Sequence, residues 1–212
     1  MTRFTNVRDA HSYLKLWLVD HAYPIWWAHG ADHQSGGFHE RLYPDGRPTG
    51  EPRRSRLHPR QMFAFSLAPR LGWPGPADRA VHHALSFYLQ HYRRCDHLFA
   101  PAATPNGVSN DSPAVLYDQA FALLGLASAF NVLQEPELKE HSYRLLNAIR
   151  THLGHTCGGF RELATGSASL LSNSHMHLLE AALAWLDIDP LGGWEQLARD
   201  IECSTARRPQ YT

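Results

Sequence analysis

Only 3 cysteines occur in 212 residues, at positions 95, 157 and 203, and none forms a Cys-x-x-Cys pair. An odd, scattered set of thiols excludes a disulfide scaffold and a zinc ribbon. Charge of one sign is also missing, because 20 Lys and Arg are cancelled by 20 Asp and Glu. Duplex binding needs a basic excess to neutralise phosphates, and a disordered tail needs few apolar residues and a high net charge. A neutral chain that is 43% hydrophobic fits neither class. Apolar runs fall short of the ~18 residues of a spanning helix, and charged residues interrupt the first ten positions. The expected setting is the cytoplasm, with neither nucleic acid nor membrane as a partner. The chain lacks a Gly-x-Gly-x-x-Gly fingerprint, a phosphate loop and a Gly-x-Ser-x-Gly elbow. Nucleotide-driven chemistry and serine hydrolysis therefore lose support.

What is present is 15 histidines, 6 tryptophans and a repeat. Gly36-Gly37-Phe38-His39-Glu40 returns as Gly158-Gly159-Phe160-Arg161-Glu162, with His97-Leu98-Phe99-Ala100 midway, so the three phenylalanines are 61 residues apart each time. Turn glycines follow in Asp45-Gly46, Asn106-Gly107 and Thr165-Gly166, the signal of tight hairpins. A helical pattern comes after each loop, at 60–68, 118–127 and 174–182, and a more amphipathic one precedes it, at roughly 8–22, 77–94 and 136–153. The inner set is rich in Ala, Leu and Phe, as covered helices are, whereas the outer set carries Arg79, Arg93, Lys139 and Arg144 on a wet face. Units of this kind stack, because none can bury its apolar surface alone. Loops clustered around the inner-helix N-termini favour a closed ring over an open solenoid. Three units end near Trp185, and a fourth outer helix begins over 192–201. The expectation is therefore about half of a ring over residues 1–201, an N-terminal fragment with an open edge prone to self-association, and an atypical tail over 202–212.

The candidate chemistry sits where the inner helices begin. His177 and Glu180 are three apart and share a helical face, and a carboxylate beside an imidazole fixes its tautomer for proton transfer. His175 points elsewhere, and its other reading is a hydrogen bond within the core, which applies to His177 as well. A His-x-His step cannot place two ligands on one face and no third ligand is evident, so no metal is expected. Arg60 can donate a fork of hydrogen bonds to sugar hydroxyls or an anion, or bridge a loop. Tyr117 and Asp118 occupy the matching place one unit later, where Asp118 could equally be a cap. Trp26, Trp27, Trp73 and Trp185 suit either sugar stacking or the core. His82 and His83 lie on an outer helix and are expected to be solvated.

Taken in order, Gly36-Gly-Phe-His-Glu40 with Asp45-Gly46, Arg60-Gln-Met-Phe-Ala-Phe-Ser66, Leu71-Gly-Trp73, Leu116-Tyr-Asp-Gln-Ala-Phe121 and Asn173-Ser-His-Met-His-Leu-Leu-Glu-Ala181 resemble the N-acylglucosamine 2-epimerase family, with a lean toward its mannose isomerase and mannose-6-phosphate isomerase-like branch. The resemblance implies an all-α fold, an (α/α)6 barrel of helical hairpins joined by short β-loops. It also implies proton transfer at C2 of a sugar, sugar phosphate or N-acylhexosamine through a cis-enediolate, with no cofactor and no metal. By motif, Arg60, Tyr117, Asp118, His177 and Glu180 would bind or flank substrate. The family's acid and base histidines belong to a later half of the barrel that this sequence does not match. Two other classes remain open: a glycoside hydrolase on a related barrel, for which Asp118 and Glu180 would be the paired carboxylates, and a non-catalytic helical interaction module.

Overall fold

A computed structural model describes residues 4, 6–156, 158–163 and 170–206. Cys157, the Thr165-Gly166 turn, the last residues of the tail and the side chain of Cys203 lie outside the described set. The chain opens with α1 (Val7–Trp17), a π-helical turn (Leu18–Ala22), the short α2 (Tyr23–Ile25) and a second π-turn (Trp26–Gly30). This first stretch reaches eight residues past the expected limit at 22, because Tyr23 and Trp27 pack toward the next helix and hold the helix on. Pro24 lacks an N–H, and the two wide turns on either side of it absorb the missing bond.

Five longer helices follow and alternate between two layers: α3 (Leu57–Leu71), α4 (Ala77–His91), α5 (Leu116–Leu133), α6 (Glu137–Leu153) and α7 (Ser172–Ile188), with α8 (Trp194–Ala206) after them. The inner row is α3–α5–α7, and α4, α6 and α8 pack outside it. Each inner helix exceeds the periodicity that announced it, since its ends are set by caps rather than by apolar spacing. Thus α3 stops at Gly72, whose φ of +96° lets Trp73 N–H reach Ala68 O and Gly72 N–H reach Pro69 O. The Leu71-Gly-Trp73 motif has a second consequence: Trp73 folds back into the core and stacks on Tyr23. The helix α5 is long and apolar enough to cross a membrane by length and composition, yet 72% of that window is buried inside the protein. It is the central core helix, bounded by α3, α4, α6 and α7.

The loops repeat with the sequence. Phe38, Phe99 and Phe160 bridge Ala31, Arg93 and Gly154, and the N–H groups of His39, Ala100 and Arg161 donate to Gly30, Tyr92 and Leu153 carbonyls. A further short pairing links successive units. The strand β1 (Arg53–Arg54) runs antiparallel to β2 (Ala102–Ala103), and Val115 bridges Leu163 one period later. The expected hairpin turns form at Gly46 and Gly107, whose N–H groups donate to Tyr43 and Thr104.

All three phenylalanines are buried, and each backbone N–H donates to a fully buried side chain in the first turns of the following inner helix. The acceptors are His58 Nε2 at 3.1 Å, Gln119 Oε1 at 2.8 Å and His175 Nε2 at 3.1 Å. A buried N–H without a partner is costly, so this bond pins each loop to the helix that follows it. Gly37 is required beside it: at φ +69° its missing Cβ would stand 2.5 Å from His58 Nε2. In the second unit His97 takes the left-handed conformation, φ +64°, that glycine takes in the other two.

Candidate active cleft

The helices α5 and α7 enter from extended residues, Val115 and Leu171, whereas α3 enters from Arg56 in helical conformation. In their first turns the structure brings together residues from all three units. Arg60 Nη2 donates to Tyr117 Oη at 2.9 Å, and its guanidinium lies over the Phe121 ring, 4.2 Å from the centroid. Phe121 contacts His177 at 4.6 Å between centroids, and Tyr117 meets the same imidazole edge-on at 5.3 Å. On α7 His177 Nδ1 is 3.0 Å from Glu180 Oε2, the pairing that their three-residue spacing implies. Arg60 is exposed, Tyr117 and His177 are half-buried, and Glu180 reaches solvent.

Asp118 is different. It is 2% exposed and accepts from Arg56 Nη1 at 3.2 Å. Burial pushes its carboxyl above the ordinary range, although the Arg56 and Arg60 guanidinium groups pull the other way. Its place is behind the row, holding Arg56, whose guanidinium in turn lies over the Tyr117 ring. Arg56 escapes a motif reading, although it caps α3 one turn before Arg60, in helical conformation, the i, i+4 spacing that puts two arginines on one face.

Next to this row, between α3 and the first helical stretch, a cavity of about 450 Å³ is lined by Trp17, Trp26, Glu40, Arg54, Arg56 and Arg60, among others. Glu40 is buried and binds both the N–H and the guanidinium of Arg54. One hundred and twenty-two residues later Glu162 repeats the role, accepting from Tyr117 N–H and Ser174 Oγ. The carboxylates of the two Gly-Gly-Phe-x-Glu motifs thus brace the rim, a function their recurrence signals but does not name.

The remaining candidates separate. His175 is buried, and Nδ1 bonds Leu171 O at 2.8 Å while Nε2 accepts from Phe160, so it is a structural residue outside the cleft. Trp73 and Trp185 are core residues, the latter donating to Leu123 O and stacking on Trp194. Trp27 packs against His33 and His83. His83 corrects the expectation of a solvated outer pair: it bonds Gly37 O at 2.8 Å and contacts Phe38, and only His82 is exposed. Among the described residues no group of three or more His, Cys, Asp or Glu is placed to hold a metal ion.

The sequence profile described as N-acylglucosamine 2-epimerase (GlcNAc 2-epimerase) matches residues 36–209. The chain belongs to the N-acylglucosamine 2-epimerase family. Within that family it is 36% identical over 189 residues to a mannose-6-phosphate isomerase of Rhizobium meliloti (strain 1021), covering 87% of this chain and 49% of that protein. Cellobiose 2-epimerases share its fold: that of Spirochaeta thermophila DSM 6192 superposes with a TM-score of 0.79 at 23% identity, over 92% of this chain and 52% of its own. The enzyme of Bacillus thermoamylovorans B4167 gives 0.82 at 18%, over 92% and 55%. The architecture is thus part of the (α/α)6 barrel of the epimerase family, and the chain spans about half the length of these relatives.

Proposed function

We propose that this chain carries the sugar-binding part of an epimerase or aldose–ketose isomerase, in which a proton is removed from C2 of an open-chain sugar. Returning that proton to the opposite face of C2 epimerises the sugar, and returning it to C1 isomerises it. In this reading Arg60 and Tyr117 bind the oxygens that become negative in the cis-enediolate, because fixed donors stabilise developing charge where water is excluded. His177, oriented by Glu180, contacts the sugar near the reacting carbons. Asp118 acts indirectly by positioning Arg56, and Trp26 offers an apolar face to the ring. The acid and base that carry the proton are assigned to the other half of the barrel.

The observation that supports this reading best is the joined row Arg60–Tyr117–Phe121–His177, drawn from three units onto one wall. Glycoside hydrolysis is less well served: it needs two carboxylates facing across a cleft, and Asp118 is buried against Arg56. Because the acid and base are assigned to the other half, the test for this chain is binding, read by isothermal titration with mannose and N-acetylmannosamine. Saturable binding is expected, and Arg60→Ala should weaken it by about tenfold, the scale for losing one charge-assisted hydrogen bond. No binding of either sugar, or release of a reducing end from a glycoside, would sink the proposal.

A further inference from the structure

The first two loops follow one plan, and each meets the outer helix of the next unit, α4 or α6, yet the two meeting places differ in chemistry. Positions 61 residues apart correspond, so Arg94 and Arg144 stand where the first unit has His33 and His83. In the first unit those imidazoles are used up in packing. They lie 5.6 Å apart between centroids, both meet the Trp27 ring edge-on, and they bond Trp27 O and Gly37 O. In the second unit the same place is a cavity of about 380 Å³ whose walls include Arg93, Arg94, His97, His141, Arg144 and Phe99. Arg94 is held by Asp96 and by Ser112 O, which fixes its fork. Arg144 gives only Nε to Glu140, in an exposed pair that contributes little, so its two Nη groups stay available. Among the described residues the side chains of Arg93, His97 and His141 have no hydrogen-bond or ion-pair partner. His141 is half-buried. Burial holds its imidazole below the ordinary range, and the Arg93 and Arg144 guanidinium groups push the same way against Glu140 and Glu137, so cations from two elements bear on one point. His97 adds a sign of its own. Its φ of +64° is left-handed, whereas the matching Gly36 and Gly158 stand at +87° and +92°. A side chain is disfavoured there and glycine would relieve the strain; what the second loop gains instead is an imidazole on the cavity wall, as strain retained at binding sites does.

We propose that this outer cavity binds a phosphoryl group, either free phosphate or the phosphate of a small ester. Guanidinium forks from the loop and from α6, with two imidazoles beside them, offer donors from several directions. That arrangement matches a tetrahedral dianion, whereas a planar carboxylate is satisfied by a single fork. The charges of Arg94 and Arg144 are offset by Asp96 and Glu140, but that of Arg93 is not, so the site is net positive with both imidazoles neutral. Its volume lies at the lower end of the ~300–1,000 Å³ of small-molecule sites. The cavity is made by the second loop and the outer helix that follows it, in the middle of the row, and it shares no residue with the candidate cleft.

Isothermal titration of the chain at pH 7.5 and a constant ionic strength of about 0.15 M, with sodium phosphate and with glycerol phosphate, should saturate below about 10 mM for at least one of them. The tighter of the two identifies the source, free anion or ester. Arg93→Ala and Arg144→Ala, both at exposed positions, should each weaken binding by about tenfold, the scale of one charge-assisted hydrogen bond, with thermal melts unchanged. His97→Gly should weaken binding while raising the melting temperature, because it removes a donor and relieves strain together. Arg60→Ala should leave the affinity for phosphate as it was. No saturation by either anion up to about 10 mM would overturn the proposal, as would undiminished binding by His97→Gly or by the Arg93→Ala, Arg144→Ala double variant. Binding lost in Arg60→Ala would overturn it too, by moving the anion to the cleft. None of these readouts uses a sugar, so this proposal and the epimerase reading can fail separately.

Discussion

His58, Gln119 and His175 show how much a single acceptor atom determines here. Each takes the N–H of a buried phenylalanine, so His175→Ala leaves a buried donor unpaired beside a cavity. A loss of about 2–3 kcal/mol is expected in urea unfolding. Since Gln119 fills the same slot, His175→Gln should restore a measurable part of it. His58 adds a pH dependence. Burial holds its imidazole well below the ordinary range, with Arg53, His83 and His91 pushing the same way. The unfolded chain takes up that proton near a pKa of about 6.5 while the folded chain does not, so stability is level above that pH and falls as pH drops below it, by ~1.4 kcal/mol per unit for this one group. Urea midpoints measured between pH 7.5 and 5.5 should show the decline, and His58→Gln should make it shallower, leaving the part due to His39, His83 and His141, which burial also holds low. The histidine pair at the cleft was legible from spacing, since i, i+3 puts His177 on Glu180 whatever lies around them. The division of labour between His175 and His177 was not, because it depends on the Phe160 loop folding back onto α7 across 15 residues.

Helix packing sets the spacing of the candidate cleft. Gly125 lets α5 approach Pro59 and Met62 of α3, and these are the helices that carry Tyr117 and Arg60. Alanine improves helix propensity by about 1 kcal/mol, but the added methyl meets backbone rather than a movable side-chain tip. Gly125→Ala is therefore expected to be net destabilising by roughly 1–2 kcal/mol, and Gly125→Leu by more. Both should weaken sugar binding by separating Arg60 from Tyr117, which isothermal titration with mannose would read alongside thermal melts. The sequence pattern locates these helices well because α5 is apolar over most of its surface and α4 and α6 are two-faced. It misplaces their ends. Caps such as Gly72 and Gln134 act through backbone conformation, φ +96° and +55°, which apolar periodicity does not encode.

In the whole molecule each hairpin touches its neighbours in the row, so stability is distributed unevenly along it. The central α5 is covered on several sides, whereas α1 buries none of its residues. Amide exchange read by mass spectrometry should find the strongest protection in 116–133 and the weakest in 7–17, with α3 and α7 between. A uniform profile would contradict the one-dimensional coupling. The ring architecture was legible from the 61-residue period because a repeated unit must bury its faces against copies of itself. What the period left unread is the pairing between loop and helix, as the Phe N–H bonds show. In them the three units keep a position and an atom's role but not a residue name: two imidazoles and one carboxamide do the same work. A comparison of letters scores that slot as variable, yet all three units make the same side-chain bond there, so the repeat is spelled in acceptors and would be traced further by aligning what each side chain can accept than by aligning what it is called.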